Sequence, residues 1–111
     1  MSTQYKGKYA EKKACEYLSS QGFKIIEQNF FAKKIGEIDI IASKNKTYHF
    51  IEVKSGLEYE TAINNITPSK LSKIKRSIDY YLQTKKLDVD FCIDAIIVVD
   101  EELEFLENIT L

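Results

Sequence analysis

Two consecutive segments of the chain alternate like the strands of a half-buried β-hairpin, and their pairing constrains the fold more than any other feature. The segments are residues 35–43 and 47–55, joined at a short turn around Asn45 and Lys46. A two-residue turn and a four-residue loop would both give the same antiparallel register. Residues two apart on a strand share a face. One face of this hairpin is therefore an apolar stripe made of Ile38, Ile40, Ala42, Ile51 and Val53.

The opposite face of the hairpin concentrates charge. In this register Asp39 lies opposite Glu52, and Glu37 lies opposite Lys54. Directly opposed carboxylates have Cβ atoms about 5 Å apart and destabilise the strand pair unless something neutralises them. A solvated sheet face without function would tolerate the pair, whereas a divalent cation such as Mg²⁺ or Mn²⁺ would explain it. The hairpin alone leaves both interpretations open.

The first helix adds a third acid. Residues 4–20 combine good helix formers with apolar positions at turn spacing, and Gly22 is expected to end this helix. Glu11 falls inside the apolar arc of the helical wheel, where a carboxylate is costly unless it is paired. A metal ion would pair it, and so would a salt bridge to a lysine such as Lys54; a snorkelling side chain is the third alternative.

The remaining pattern predicts an α/β fold. We expect strands at 23–30 and 89–99, an irregular segment at 56–66, a helix from Pro68 to about Lys85 with Thr67 as its N-cap, and a short edge strand within 103–109. The order is α-β-β-β-α-β-β, which predicts helices packed around a central mixed sheet. A length of 111 residues suits one domain, 1–111.

Composition excludes several classes of protein. The hydrophobic content of 44% and charged content of 30% are those of an ordinary globular domain. The N-terminal stretch lacks the apolar segment of a signal peptide, and no apolar run approaches the roughly 20 residues that a bilayer crossing needs. We therefore expect a cytoplasmic protein with no membrane partner.

Cysteine and histidine offer little catalytic chemistry in the sequence. Cys15 and Cys92 are too few and too far apart for a disulfide scaffold or a zinc site, so we expect two reduced core residues. The only histidine, His49, lies on the apolar face of the hairpin and is expected in the core or at an edge, not beside a catalytic thiol. The four glycines are scattered and form no phosphate-binding loop.

Charge is segregated along the chain although the net charge is −1. Residues 68–86 carry six basic side chains against one acid, and residues 88–111 carry eight acids and no lysine or arginine. Such segregation can create a surface that faces a polyanion, and it can equally be a solvated helix beside an acidic strand. Lys70, Lys73 and Arg76 line one flank of the second long helix.

These motifs resemble a known nuclease class. Asp39, Glu52 and Lys54 form a D-(x)12-ExK pattern that resembles the PD-(D/E)xK motif of restriction-endonuclease-like nucleases. A wider pattern resembles the small bacterial YraN-type family, and it consists of Glu11, NF at 29–30, GEIDII at 36–41, FIEVKS at 50–55, Lys70 and the strand around Asp94. Archaeal Holliday-junction resolvases share the helix glutamate and the acid arrangement more distantly.

The resemblance implies a fold and a set of site residues. The fold is the restriction-endonuclease-like αβββαβ sandwich with a central mixed sheet. Asp39 and Glu52 would hold Mg²⁺ or Mn²⁺, helped by Glu11 and the backbone carbonyl of Val53. Lys54 would orient or deprotonate the attacking water and stabilise charge on the phosphate. Glu37 matches a family glutamate that would pair with Lys54 or bind a second ion.

The implied function is metal-dependent hydrolysis of DNA, acting on branched, flapped or single-stranded forms. Lys70, Lys73 and Arg76 would contact phosphates. Gln28 and Gly56 stand where the family usually has arginine, which affects the grip on DNA more than the metal chemistry. A homodimer or a DNA-processing partner protein would be compatible with so short a chain. The alternatives are a nucleic-acid-binding module that no longer cuts, and a protein-interaction domain using the acidic edge 100–107.

Overall fold

The structure of the protein is a computed structural model that describes the backbone of residues 3–109 and the side chains of residues 7–109. Its elements are α1 (Thr3–Ser20), β1 (Lys24–Ala32), β2 (Gly36–Lys44), β3 (Thr47–Gly56), α2 (Tyr59–Asn64), α3 (Pro68–Lys85), β4 (Asp90–Val99) and β5 (Glu102–Leu106). The predicted succession is confirmed, with one addition. The short helix α2 lies in the segment expected to be irregular.

Local sequence explains where the long helices begin and end. Gly22 adopts a φ of 90°, and the Phe23 N–H donates to the carbonyl of Leu18, which closes α1 in a Schellman motif. At the start of α3, Thr67 Oγ1 accepts a hydrogen bond from the backbone N–H of Lys70, and Pro68 occupies the first turn. Both boundaries follow the predicted signals.

The hairpin turn has the shorter of the two expected forms. Lys44 pairs with Thr47, and the two residues between them, Asn45 and Lys46, have φ angles of 52° and 68°. Positive φ at both central positions is the type I′ geometry that matches the twist of paired strands. Ile40 pairs with Ile51, so the predicted register is confirmed over this part of the hairpin.

The sheet has five strands in the order β1-β2-β3-β4-β5. Strands β3 and β4 are parallel, and the other neighbouring pairs are antiparallel. A parallel pair needs a crossover connection, which α2 and α3 provide. The predicted α/β fold with a mixed sheet between helices is confirmed at this level.

Each face of the sheet is covered by one long helix. The buried cluster under α1 comprises Ala10, Ala14, Leu18, Phe23, Ile40, Ala42, Ile51, Ile96 and Val98. The cluster under α3 comprises Ile38, Ile41, Phe50, Leu71, Ile74, Ile78, Tyr81 and Ile93. Since both faces of β4 are covered, residues 93–98 are buried without interruption, as the branched sequence of this strand predicts.

One face assignment from the sequence is wrong. Ile38 packs in the cluster under α3, whereas Ile40 packs under α1. Residues two apart on a regular strand would share a face, so the alternation of β2 is interrupted at Asp39, the residue between them. The interruption therefore lies at one of the acids of the hairpin.

None of the helices within residues 3–109 is both long enough and apolar enough to cross a bilayer.

Candidate active site

Glu11, Glu37, Asp39 and Glu52 form what we call the acidic site. It lies where regular pairing of the β2–β3 hairpin stops. The paired positions of β2 and β3 run from the turn only as far as Ile40 and Ile51. Beyond them, the Val53 N–H donates to Asp39 Oδ2 at an N···O distance of 2.9 Å. The Asp39 carboxylate thus accepts a backbone N–H of β3 just beyond the last paired residues of β2 and β3. This bond fixes one oxygen of Asp39 against β3.

The surroundings of Asp39 disfavour its charged form. Burial, and after it the neighbouring carboxylate of Glu52, together raise the pKa of Asp39 to about 7. Glu11 and Glu37 add smaller repulsions, while the hydrogen bond from Val53 acts in the opposite direction. A half-buried carboxyl with a raised pKa beside three other acids is an environment that favours the binding of a cation.

Asn29 of β1 connects the two outer acids. Its Nδ2 donates to Glu11 Oε1 and to Glu37 Oε1, each at 2.8 Å. Asn29 has a φ of 52°, a left-handed conformation that asparagine tolerates better than most residues. Residues on either side of Asn29 and Asp39 are paired between β1 and β2, but these two residues are not paired with each other. Both therefore lie at an irregularity of the sheet.

Sequence reasoning gave Asn29 no role beyond its place in the NF pair. The signal available was an asparagine inside a strand pattern, where this residue is normally depleted. Its contacts with Glu11 and Glu37 depend on how α1 packs over the sheet, which the local pattern does not show.

Lys54 forms an ion pair with Glu52. Its Nζ lies 3.0 Å from Glu52 Oε1, and both side chains are mostly buried, with 28% and 15% of their surfaces exposed. The two residues are two apart on β3 and share a face. Among the described residues, Lys54 forms its ion pair with Glu52 and none with Glu37 or Glu11, the two partners suggested by the sequence. Both of those glutamates accept from Asn29 instead.

The structure therefore brings together Glu11 of α1, Glu37 and Asp39 of β2, and Glu52 and Lys54 of β3. Within residues 7–109, no three of these acids have ligand atoms that all lie within 4.8 Å of one another. One other group meets that criterion, and it consists of His49, Cys92 and Asp94. Oxygen ligands alone, with no sulfur or imidazole, suit Mg²⁺ or Mn²⁺, so the acids fit the implied ion.

The predicted phosphate-contacting residues lie on the exposed side of α3. Lys70, Lys73 and Arg76 are all exposed, and none forms an ion pair with an acid of the described chain. The helix approaches β2 closely at Gly36, where an added Cβ would lie 3.3 Å from Ser77 Oγ. This contact sets α3 against the strand that carries Asp39.

One expectation about the minor residues needs correction. His49 is buried as expected, but it is also a neighbour of a thiol, with its Nδ1 lying 3.1 Å from Cys92 Sγ. Parallel pairing of β3 with β4 sets His49 beside Cys92, a contact that sequence spacing did not indicate. Burial and the charge of Asp94 raise the pKa of Cys92 to about 12, so this thiol is not a nucleophile at neutral pH.

Replacing Asn29 with glycine should weaken Mn²⁺ binding at the acidic site about tenfold while the fold persists. Glycine accepts the φ of 52° but removes the amide that holds Glu11 and Glu37. Calorimetric titration measures the affinity. Asn45→Gly is the matched control, because Asn45 has the same φ of 52° in the distant hairpin turn. Equal affinities in the two variants would remove Asn29 from the site.

Comparison with known proteins identifies the family. The model of the uncharacterised protein family UPF0102 matches residues 10–98. A UPF0102 protein of Aliarcobacter butzleri is 63% identical over 106 residues, covering 96% of both chains. Others from Helicobacter hepaticus and Wolinella succinogenes are 51% and 53% identical, covering at least 96% of each chain. The protein therefore belongs to the UPF0102 family, which confirms its resemblance to YraN-type proteins.

Proposed function

We propose that this protein is a divalent-metal-dependent nuclease of the restriction-endonuclease-like class, and that it hydrolyses phosphodiester bonds in DNA. The observation that carries the proposal is the meeting of Asp39, Glu52 and Lys54 at the end of the β2–β3 ladder, with Glu11 near enough to raise the pKa of Asp39. Two acids and a lysine in D…ExK order are the residue types that this chemistry requires.

The residues that would hold the ion are Asp39, Glu52, Glu11 and the backbone carbonyl of Val53. When bound, Mg²⁺ or Mn²⁺ supplies polarisation of a phosphoryl oxygen and a lowered pKa for a coordinated water. The raised pKa of Asp39 supports this assignment, since burial and the neighbouring carboxylates disfavour its charged form in a way that a bound cation would offset.

The chain itself orients the groups around the scissile phosphate. Val53 N–H fixes one oxygen of Asp39, which aims the carboxylate between β2 and β3. Asn29 holds Glu11 and Glu37 at the rim of the site. Lys54, anchored by Glu52, presents an ammonium group where negative charge develops on the phosphate, and such preorganised charge accelerates the reaction.

The substrate surface extends from the acids along α3. Lys70, Lys73 and Arg76 are exposed and unpaired with described acids, so they are available to DNA phosphates. Contacts to phosphates fix the position of DNA but do not read its base sequence. We therefore propose branched, flapped or single-stranded DNA as the substrate, recognised by its shape.

Replacing Lys73 and Arg76 together with alanine should weaken DNA binding regardless of sequence. Each lost phosphate contact should reduce the slope of log K against log salt by about 0.9 on duplex DNA. Fluorescence anisotropy across a salt series measures both quantities. Lys75→Ala is the control, because Lys75 lies on the other flank of the buried arc of α3 and is equally exposed. An unchanged slope in the double variant would place the DNA elsewhere.

The proposal is tested by incubating the purified protein with four-way junction, flap, single-stranded and linear duplex DNA in Mg²⁺ and in Mn²⁺. We expect cleavage of one or more non-duplex forms, its abolition by chelation, and its loss in Glu52→Gln. Binding without cleavage under every condition would instead assign a non-catalytic nucleic-acid-binding module.

Absence of both binding and cleavage would leave the acidic edge 100–107 as the candidate for protein interaction. Part of that edge already has internal partners. Glu101 accepts a hydrogen bond from Tyr9 and forms an ion pair with Lys13 at 3.2 Å.

A further inference from the structure

A second cluster of potential ligands lies away from the acidic site. His49 of β3 pairs with Cys92 of β4, and Asp94 lies two residues further along the same strand. His49 and Glu52 are three positions apart on β3, so their side chains leave opposite faces. The histidine cluster is therefore separate from the proposed catalytic residues.

The donor atoms of this cluster are close enough to share one ion. His49 Nδ1 and Cys92 Sγ are 3.1 Å apart, and Cys92 Sγ and Asp94 Oδ1 are 3.4 Å apart. A tetrahedral Zn²⁺ with ordinary bond lengths separates its sulfur and nitrogen or oxygen ligands by about 3.5 Å. Both distances agree with that geometry within a few tenths of an ångström.

The third distance is shorter, because His49 Nδ1 and Asp94 Oδ2 form a hydrogen bond of 2.5 Å. This bond holds the two ligands together when no ion is bound, and coordination of both atoms to one ion would widen their separation to about 3.3 Å. Asp94 is fully buried, and its Oδ1 also accepts the Asn108 N–H at 2.8 Å, which fixes the carboxylate.

Two acids lie near the thiol. Asp94 accepts a hydrogen bond from Cys92 Sγ, and Glu107 lines the cavity beside His49. Lys44 is a basic residue that lines the same cavity. Its ammonium group donates to the carbonyl of Gln21 at 2.8 Å and lies over the ring of Phe23.

A cavity beside the cluster gives an ion access. Its volume is about 320 Å³, and its lining includes His49, Glu107 and Lys44. The cavity has room for a water molecule as fourth ligand, and Glu107 could supply a carboxylate instead. An entry path is needed for an ion to reach the site.

We propose that His49, Cys92 and Asp94 form a binding site for a divalent transition metal of the Zn²⁺ class. One thiolate, one imidazole and one carboxylate are the donor types that such metals accept, whereas Mg²⁺ prefers oxygen alone. On binding, the Cys92 thiol proton is lost to solvent, and the Nδ1 proton of His49 moves to Nε2 by way of solvent. The ion then ties β3 to β4 at the turn end of the sheet, opposite the acids.

Co²⁺ is the probe that tests this site, because a cobalt–thiolate bond has a charge-transfer band in the near ultraviolet. Reduced full-length protein, treated with EDTA and exchanged into metal-free buffer, is titrated with Co²⁺ at pH 8. We expect the band to saturate at one ion per chain, with release of at least one proton per ion. Added Zn²⁺ should bleach it. A wild-type protein that gives no thiolate band overturns the proposal, whatever the variants do.

Variants assign the band to its ligands. Cys92→Ser should abolish it, and His49→Gln should weaken Co²⁺ binding more than about tenfold. Cys15→Ser is the matched control, because Cys15 is the other free, half-buried thiol, and this variant should keep the band. Asp39→Asn should also keep it, which separates this site from the proposed catalytic one. Persistence of the band in Cys92→Ser, or its loss in Cys15→Ser, overturns the assignment; if Cys92→Ser does not fold, His49→Gln decides.

Discussion

Replacing Lys54 with alanine should reduce the rate of DNA cleavage about 100- to 1,000-fold while Mn²⁺ binding persists. The ammonium group contacts Glu52 at 3.0 Å and touches no other acid of the described chain within ion-pair distance. Its removal leaves Asp39 and Glu52 in place and takes away the positive charge that would face the phosphate. The variant therefore separates ion binding from the chemical step.

Single-turnover cleavage measures the chemical step, and calorimetry measures ion binding in the same preparation. Lys46→Ala serves as the control, since Lys46 is an exposed lysine at the turn end of the same hairpin and its removal changes the net charge equally. Full cleavage by Lys54→Ala would exclude Lys54 from catalysis. Loss of Mn²⁺ binding in that variant would instead make the lysine a support of the acids.

Asp39→Asn should stabilise the metal-free protein at pH 8 by about 2 kcal/mol, an effect opposite to that of most substitutions at partly buried residues. In the folded protein, burial and Glu52 raise the pKa of Asp39 to about 7, well above the value of the unfolded chain. The folded state therefore binds this proton more tightly, and the free energy of unfolding falls as pH rises from about 4 to about 7. Asparagine removes the charge but keeps an oxygen for the Val53 N–H.

Thermal unfolding of both proteins in EDTA, from pH 4 to pH 8, measures this difference. The advantage of Asp39→Asn should be greatest at pH 8 and shrink toward pH 4, where Asp39 of the wild type is protonated. Saturating Mn²⁺ should raise the Tm of the wild type, but not that of the variant, because ligand binding stabilises only the form that binds. A variant less stable than the wild type at pH 8 in EDTA would mean that the acids are not in repulsion.

Local patterns were sufficient for most of the backbone. The register of the hairpin followed from alternation and from Asn45 at a position of positive φ. Thr67-Pro68 and Gly22 marked helix ends by their own backbone preferences. Helix α2 left no such mark, because its N-cap Glu58 makes no capping hydrogen bond from its side chain and only Ala62 of the helix is buried.

Contacts between elements distant in sequence were harder to predict from local patterns. The sequence placed Glu11 on the buried arc of α1, but not against Asn29, because that contact depends on how the helix crosses the sheet. The predicted alternation of side chains along β2 also failed at Asp39. On either side of it, Ile38 packs under α3 and Ile40 packs under α1. The meeting of His49 with Cys92 depends on β4 lying parallel to β3, which is a property of the topology.

Calorimetric titration of Mn²⁺ into metal-free wild type and Asp39→Asn at pH 8 tests the central claim most directly, since the claim is that these acids bind a cation together. The account predicts a saturable exothermic or endothermic binding event in the wild type that disappears in Asp39→Asn, with both proteins folded. Identical titration curves for the two proteins, or no binding heat in the wild type at millimolar Mn²⁺, would contradict it.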